Sequence, residues 1–128
     1  MQPINSDFGG ASRTFEIKPE SVALFEASMG RSLYAVLQTF TNGTWTFNDV
    51  AAVLSFALHG PTVEQRRAWD QARHAQKFGF PWSMPGYVPH PSVVATLQAE
   101  GHGNFAELAA EILTAAIFGE VQEVAGDD

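Results

Sequence analysis

Residues 45–60, WTFNDVAAVLSFALHG, decide how this chain folds. Thr46 stands three residues ahead of Asp49. At that spacing the hydroxyl accepts the Asp49 N–H while the carboxylate reaches back to the N–H of Thr46. Behind this start, Phe47, Val50, Val53, Leu54, Ala57 and Leu58 recur with helical period, and Gly60-Pro61 ends the run. The same start recurs at Thr62-Val63-Glu64-Gln65 and again at Asn104-Phe105-Ala106-Glu107. Three such signatures predict a mainly α protein.

Working outward, Asn42-Gly43 closes a preceding amphipathic helix whose Leu33, Val36, Leu37 and Phe40 share one face. Before it, Pro19 suits a first helical turn, and Val22, Leu24, Phe25 and Met29 form a stripe that Gly30 stops. Glu26 interrupts this stripe, which predicts a structural bond from its carboxylate to an arginine or a backbone N–H at a helix edge. Arg13 to Lys18 alternates, with Phe15 and Ile17 on one face, as in a short strand or half a hairpin. Residues 1–12 are polar and read as a flexible start or a hairpin turning at Gly9-Gly10.

C-terminal to the central helix, Thr62 to about Lys77 reads as a polar helix with Trp69 and Ala72 to bury and little else. Phe78 to Pro91 holds four prolines and two glycines, which exclude a regular helix, together with Phe78, Phe80, Trp82 and Tyr87. A short helix follows from Ser92 to Ala99, then a last one with Phe105, Leu108, Ile112, Leu113, Ala116 and Ile117 on its apolar face. Residues 120–128 form an acidic tail, expected to fray. The architecture expected is a compact bundle of five or six short helices with a short N-terminal β-strand or hairpin. It makes a single domain over 1–128, with 61–91 as a polar helix plus a proline- and aromatic-rich insertion.

Composition narrows the function. The 128 residues are 45% hydrophobic and contain no cysteine, which excludes disulfides and thiol chemistry. No apolar run nears the roughly 20 residues of a membrane span, and the first ten residues lack the cationic and apolar pattern of a secretory leader. Net charge is -7, distributed as -2 over residues 1–60, +2 over 61–90 and -7 over 91–128. Most of that surface repels a phosphate backbone, so no nucleic-acid partner is expected.

Chemistry-bearing patterns are absent. His59, His74, His90 and His102 have no zinc-type spacing and read as surface residues, so no metal is expected. There is no Gly-x-Ser-x-Gly, phosphate loop or dinucleotide fingerprint, and hence no catalytic residue or cofactor. Glu107 and Glu111, one turn apart, suit the N-terminal end of a helix dipole better than an acid/base pair. The aromatic segment reads two ways. Trp82, Met84 and Tyr87 suit a binding surface, where such residues concentrate energy; the same side chains can instead cover the core. With Arg66, Arg67 and Trp69 of the polar helix they are the candidate partner-binding residues.

Taken in order, Phe15-Glu16-Ile17, ALFEASMGRSLYAVLQTF and WTFNDVAAVLSFALHG resemble the small tail-assembly proteins of gene transfer agents and related siphophages. The features carrying the resemblance are Glu26, Gly30, Ser32, Leu33, Asp49, Val50 and Gly60, with FAELAAEILTAAIFG similar to the family's closing helix. The resemblance runs over residues 15–60 and 93–119, whereas 61–91 is longer and richer in Pro and Trp than the family's pattern. It implies a non-enzymatic phage or prophage tail-assembly protein: a chaperone for the tape-measure or tail tube protein, acting in the cytoplasm of a bacterial host. A structural tail or connector component retained in the particle is the alternative. A further one is an adaptor engaging another protein through Arg66 and Arg67.

Overall fold

The structure, a computed structural model, describes residues 3–119. The elements are β1 (Ile4–Phe8), β2 (Ala11–Phe15), α1 (Val22–Met29), α2 (Leu33–Asn42), α3 (Phe47–His59), α4 (Val63–Lys77), α5 (Pro91–Glu100) and α6 (Ala106–Phe118). Single 3-10 turns at Pro19–Ser21 and His102–Phe105 lead into α1 and α6. The expected mainly α bundle with an N-terminal hairpin is what forms. The acidic stretch 120–128 lies outside the described residues.

The hairpin is antiparallel, with Ile4 opposite Phe15 and Phe8 opposite Ala11. Its two-residue turn needs positive φ at both positions, and Gly9 (65°) and Gly10 (84°) supply it. A lone hairpin is marginal in water, so packing must hold it. Phe8 and Phe15 meet edge to face with centroids 5.9 Å apart, and the Glu16 N–H donates to the Ala57 carbonyl at 3.1 Å, tying the strand exit to the end of α3. The strand ends at Phe15, but Ile17 beyond it is also buried, as the alternation required.

Helix α3 opens on the full reciprocal cap: Asp49 N–H to Thr46 Oγ1 at 3.1 Å, and Thr46 N–H to Asp49 Oδ2 at 3.0 Å. The second oxygen of Asp49 accepts from Arg31 at 2.7 Å, so a nearly buried carboxylate has its charge matched. Helix α3 is not merely amphipathic. Val50 through Phe56 is buried on every side, which makes α3 the central rod of the bundle. Ala51, Ala52 and Ser55 are small enough to let neighbouring elements approach it. Phe25 of α1 stacks on Phe56 at 4.2 Å, while α2 and α6 pack on each other and α6 also packs on α3. The core is therefore α1 and α3 joined by α2 and α6, with Phe8 and Phe15 of the hairpin and Val93 and Leu97 of α5 buried in the same cluster.

Glu26 does what its odd position predicted. Its Oε2 accepts the Leu33 N–H at 2.7 Å, at the start of α2, where the helix dipole also favours a negative charge. Ser32 caps the same helix, accepting from Ala35 N–H at 3.0 Å. One expected cap does not form. Asn104 donates its side-chain amide to the Glu100 carbonyl at 2.8 Å, and α6 starts at Ala106 behind Phe105 with no side-chain cap. The His102–Phe105 turn occupies the place where an Asn104–Glu107 box would have stood.

Candidate functional site: an aromatic and basic edge built by α4 and residues 78–90

Helix α4 stands apart from the bundle. Its cap is complete, with Gln65 N–H on Thr62 Oγ1 at 3.0 Å and Thr62 N–H on Gln65 Oε1 at 3.3 Å. Only Gln65 and Ala72 are buried in it, and Trp69 is half-buried. The Gln65 amide donates to Ser28 Oγ of α1 at 3.3 Å. Those three residues make one narrow inward stripe on a helix of 3.6 residues per turn. The rest of α4 faces solvent.

Arg66, Arg73 and Lys77 line up beside that stripe, within about 40° of one another on the helical wheel. All three are exposed, and none has a carboxylate within 4 Å among the described residues. Arg67 is exposed on the outer face, away from Trp69.

The segment after α4 divides by direction. Phe78, Phe80 and Trp82 are 58, 62 and 43% exposed, whereas Met84 is half-buried against the core and Tyr87 only 8% exposed. Trp82 meets Trp69 edge to face at 6.4 Å, and the Phe78 and Phe80 rings stack at 6.3 Å. The covering reading holds for Met84 and Tyr87, which pack on the core, while Phe78, Phe80 and Trp82 form an exposed aromatic edge.

What fixes the covering part is Ser55, fully buried on α3. Its Oγ accepts the His90 N–H at 2.8 Å and lies 2.9 Å from the Tyr87 hydroxyl. The Tyr87 hydroxyl also donates to the Gly60 carbonyl at 3.4 Å. Burial raises the Tyr87 pKa, with the Ser55 hydrogen bond working against the rise. His90 then caps α5 through Nδ1, accepting from Ser92 N–H at 3.2 Å, and stacks on His59 at 4.2 Å. Burial lowers the His59 pKa, and the nearby His90 and Arg13 lower it further. His59, Pro61, Glu64, Val88 and His90 line a cleft of about 460 Å³ where the segment crosses the end of α3.

Of the six residues singled out from sequence, Arg66, Arg67, Trp69 and Trp82 lie on or beside α4, with Met84 at the margin. Tyr87 is part of the core. Sequence reasoning passed over Phe78 and Phe80 as site residues, although their place among prolines that bar a helix was a usable signal. It also passed over Ser55, for which no local signal exists. His74 and His90 are exposed; His102 is not free, packing on Phe47 at 5.0 Å and Trp45 at 5.7 Å. Among the described residues no group of three or more His, Asp or Glu side chains is placed to hold a metal ion, and no helix is long and apolar enough to cross a membrane.

Exposed aromatics beside unpaired cations, on a helix lightly fastened to its core, are features of a surface that docks another polypeptide. Residues 3–81 match the family described as phage tail tube protein, GTA-gp10. The match covers well over half of the chain, which therefore belongs to this family of phage and gene-transfer-agent tail proteins. It takes in the hairpin and all of α4. It stops short of α5 and α6. No curated protein and no solved structure matches the chain.

Proposed function

We propose that the protein is a structural component of a phage-type tail, retained in the particle and joined to other tail subunits through α4 and residues 78–82. The observation that carries this reading is the match of residues 3–81 to a family named for the tail tube. The geometry supplies the means: Phe78, Phe80 and Trp82 offer apolar area, and Arg66, Arg67, Arg73 and Lys77 offer charge that steers and orients a partner. No chemistry is involved. Binding alone accounts for the surface, and association with the virion follows from the role.

A second reading remains, that of an assembly factor which holds the tape-measure protein and then leaves. What favours it is a net charge of -7 on a chain with an exposed aromatic edge, a combination that keeps a complex with an apolar helix in solution. Quantitative mass spectrometry of gradient-purified particles separates the two. A constant number of copies per particle, co-sedimenting with the tail, is the expected result. Abundance in the lysate with none in purified particles would overturn the structural reading and leave the assembly factor.

A further inference from the structure

Two imidazoles meet where the segment after α4 crosses the end of α3. His59 stands in the last turn of α3 and His90 at the cap of α5, their rings stacked with centroids 4.2 Å apart and planes 19° from parallel. His90 Nδ1 accepts the Ser92 N–H at 3.2 Å, and so carries no proton itself. The backbone N–H of the same residue donates to Ser55 Oγ at 2.8 Å. One residue thus fastens the crossing to α3, to α5 and to the His59 ring. Neither ring has a carboxylate within 4 Å among the described residues.

We propose that His59 and His90 form an acid-sensitive latch, closed while both rings are neutral and opened by their protonation, which frees residues 83–90 from the end of α3. The inference goes beyond the tail-component reading and does not depend on it, because it concerns how the segment is held and not what the neighbouring edge binds. Each proton removes something. On His90 Nδ1 it turns an acceptor into a donor facing the Ser92 N–H, at a helix start where the dipole also opposes a cation. Charge on His59 is opposed first by burial, then by His90 and by Arg13 of β2, against the pull of the α3 C-terminal dipole. With both protons in place, two like charges lie face to face at the 4.2 Å of the stack. Other charges nearby do not relieve this. Glu16, Lys18, Glu20 and Arg66 line a cleft on one side of His59, and Glu64 lines the cleft that His59 shares with His90. With Arg13 they come to three carboxylates against three cations. The charged residue of α5, Glu100, stands ten positions from His90, about 15 Å along the helix. Opening is local, since α3 keeps its packing on α6 and on Phe25. Residues 78–82 precede the latch, so opening also frees the far end of the aromatic edge.

The test is hydrogen exchange of the full chain, read by mass spectrometry at about pH 7.5 and about pH 5.5, either side of the ordinary histidine value, and corrected for the intrinsic rate at each. Peptides covering 83–90 are expected to lose at least about ten-fold in protection at the lower pH, while those of α3 keep theirs. The double variant His59→Phe/His90→Asn retains an aromatic face and a capping oxygen, neither of which titrates there, and should hold its protection at both pH values. In the wild type the two ring C–H resonances, followed by NMR, should titrate in two coupled steps. Protection of 83–90 that ignores pH refutes the latch. A pH effect that survives in the double variant does the same, as does a loss shared equally by α3, or two rings that titrate independently.

Discussion

Replacing Ser55 by alanine removes one oxygen and should release a segment of chain far from it in sequence. Ser55 Oγ serves the His90 N–H at 2.8 Å and the Tyr87 hydroxyl at 2.9 Å, from a site with no solvent exposure. Without it, the His90 N–H loses its partner in a partly buried place, which costs about 1–2 kcal/mol, and the Tyr87 hydroxyl keeps only the long bond to Gly60, a further loss of about 1 kcal/mol. The expected total is about 2–3 kcal/mol, or roughly 8–12 °C in Tm for a domain of this size. Tyr87→Phe should cost only about 1 kcal/mol, because Ser55 still holds His90. In the double variant the two losses should overlap by about 1 kcal/mol, a coupling that a double-mutant cycle in urea resolves. Limited proteolysis gives an independent readout, with cleavage within residues 79–90 accelerating in Ser55→Ala before global unfolding. A cost below about 0.5 kcal/mol with unchanged cleavage would refute the assignment of Ser55 as the fastener.

Glu26→Ala should lower stability by about 1–2 kcal/mol, because the Leu33 N–H loses a charged acceptor at the start of α2; urea unfolding measures it. Asp49→Ala should cost about 2–3 kcal/mol, combining the lost cap with a broken pair whose Arg31 can partly rehydrate, again by urea unfolding. Because folding lowers the His59 pKa, its contribution is complete above the ordinary histidine value and is lost as pH falls through the folded one. Thermal melts should therefore show stability dropping below about pH 6.5, less steeply in His59→Gln. Folding raises the Tyr87 pKa, so its contribution is present below about pH 10 and lost as pH rises further; Tyr87→Phe should flatten that alkaline limb.

What was legible in the sequence is what short range decides. The caps at Thr46 and Thr62 are formed by residues three apart, so pattern and structure agree there. Asn104 shows the limit of the same rule. The glycines at 101 and 103 allow a tight 3-10 turn, and the Asn104 amide is engaged by the Glu100 carbonyl, so a correct spacing yields no cap. The burial of α3 on all sides was hidden because Ala51, Ala52 and Ser55 look neutral in a periodic pattern yet permit close packing. The site divides likewise. The exposed cations of α4 follow from its sparse apolar stripe, but nothing near Trp82 or Tyr87 says which faces inward. That choice is made by Ser55, 32 residues from Tyr87.

The most direct measurement is site-specific photo-crosslinking in cells that are assembling tails, with the probe placed at Trp82 or, as a control, at Tyr34. Tyr34 is 54% exposed on α2, remote from α4 in sequence, and plays no part in the proposed edge. The account predicts adducts from position 82 to a tail polypeptide, this chain's own copies included, and none from position 34. Adducts from position 34 alone, with position 82 silent, would contradict it.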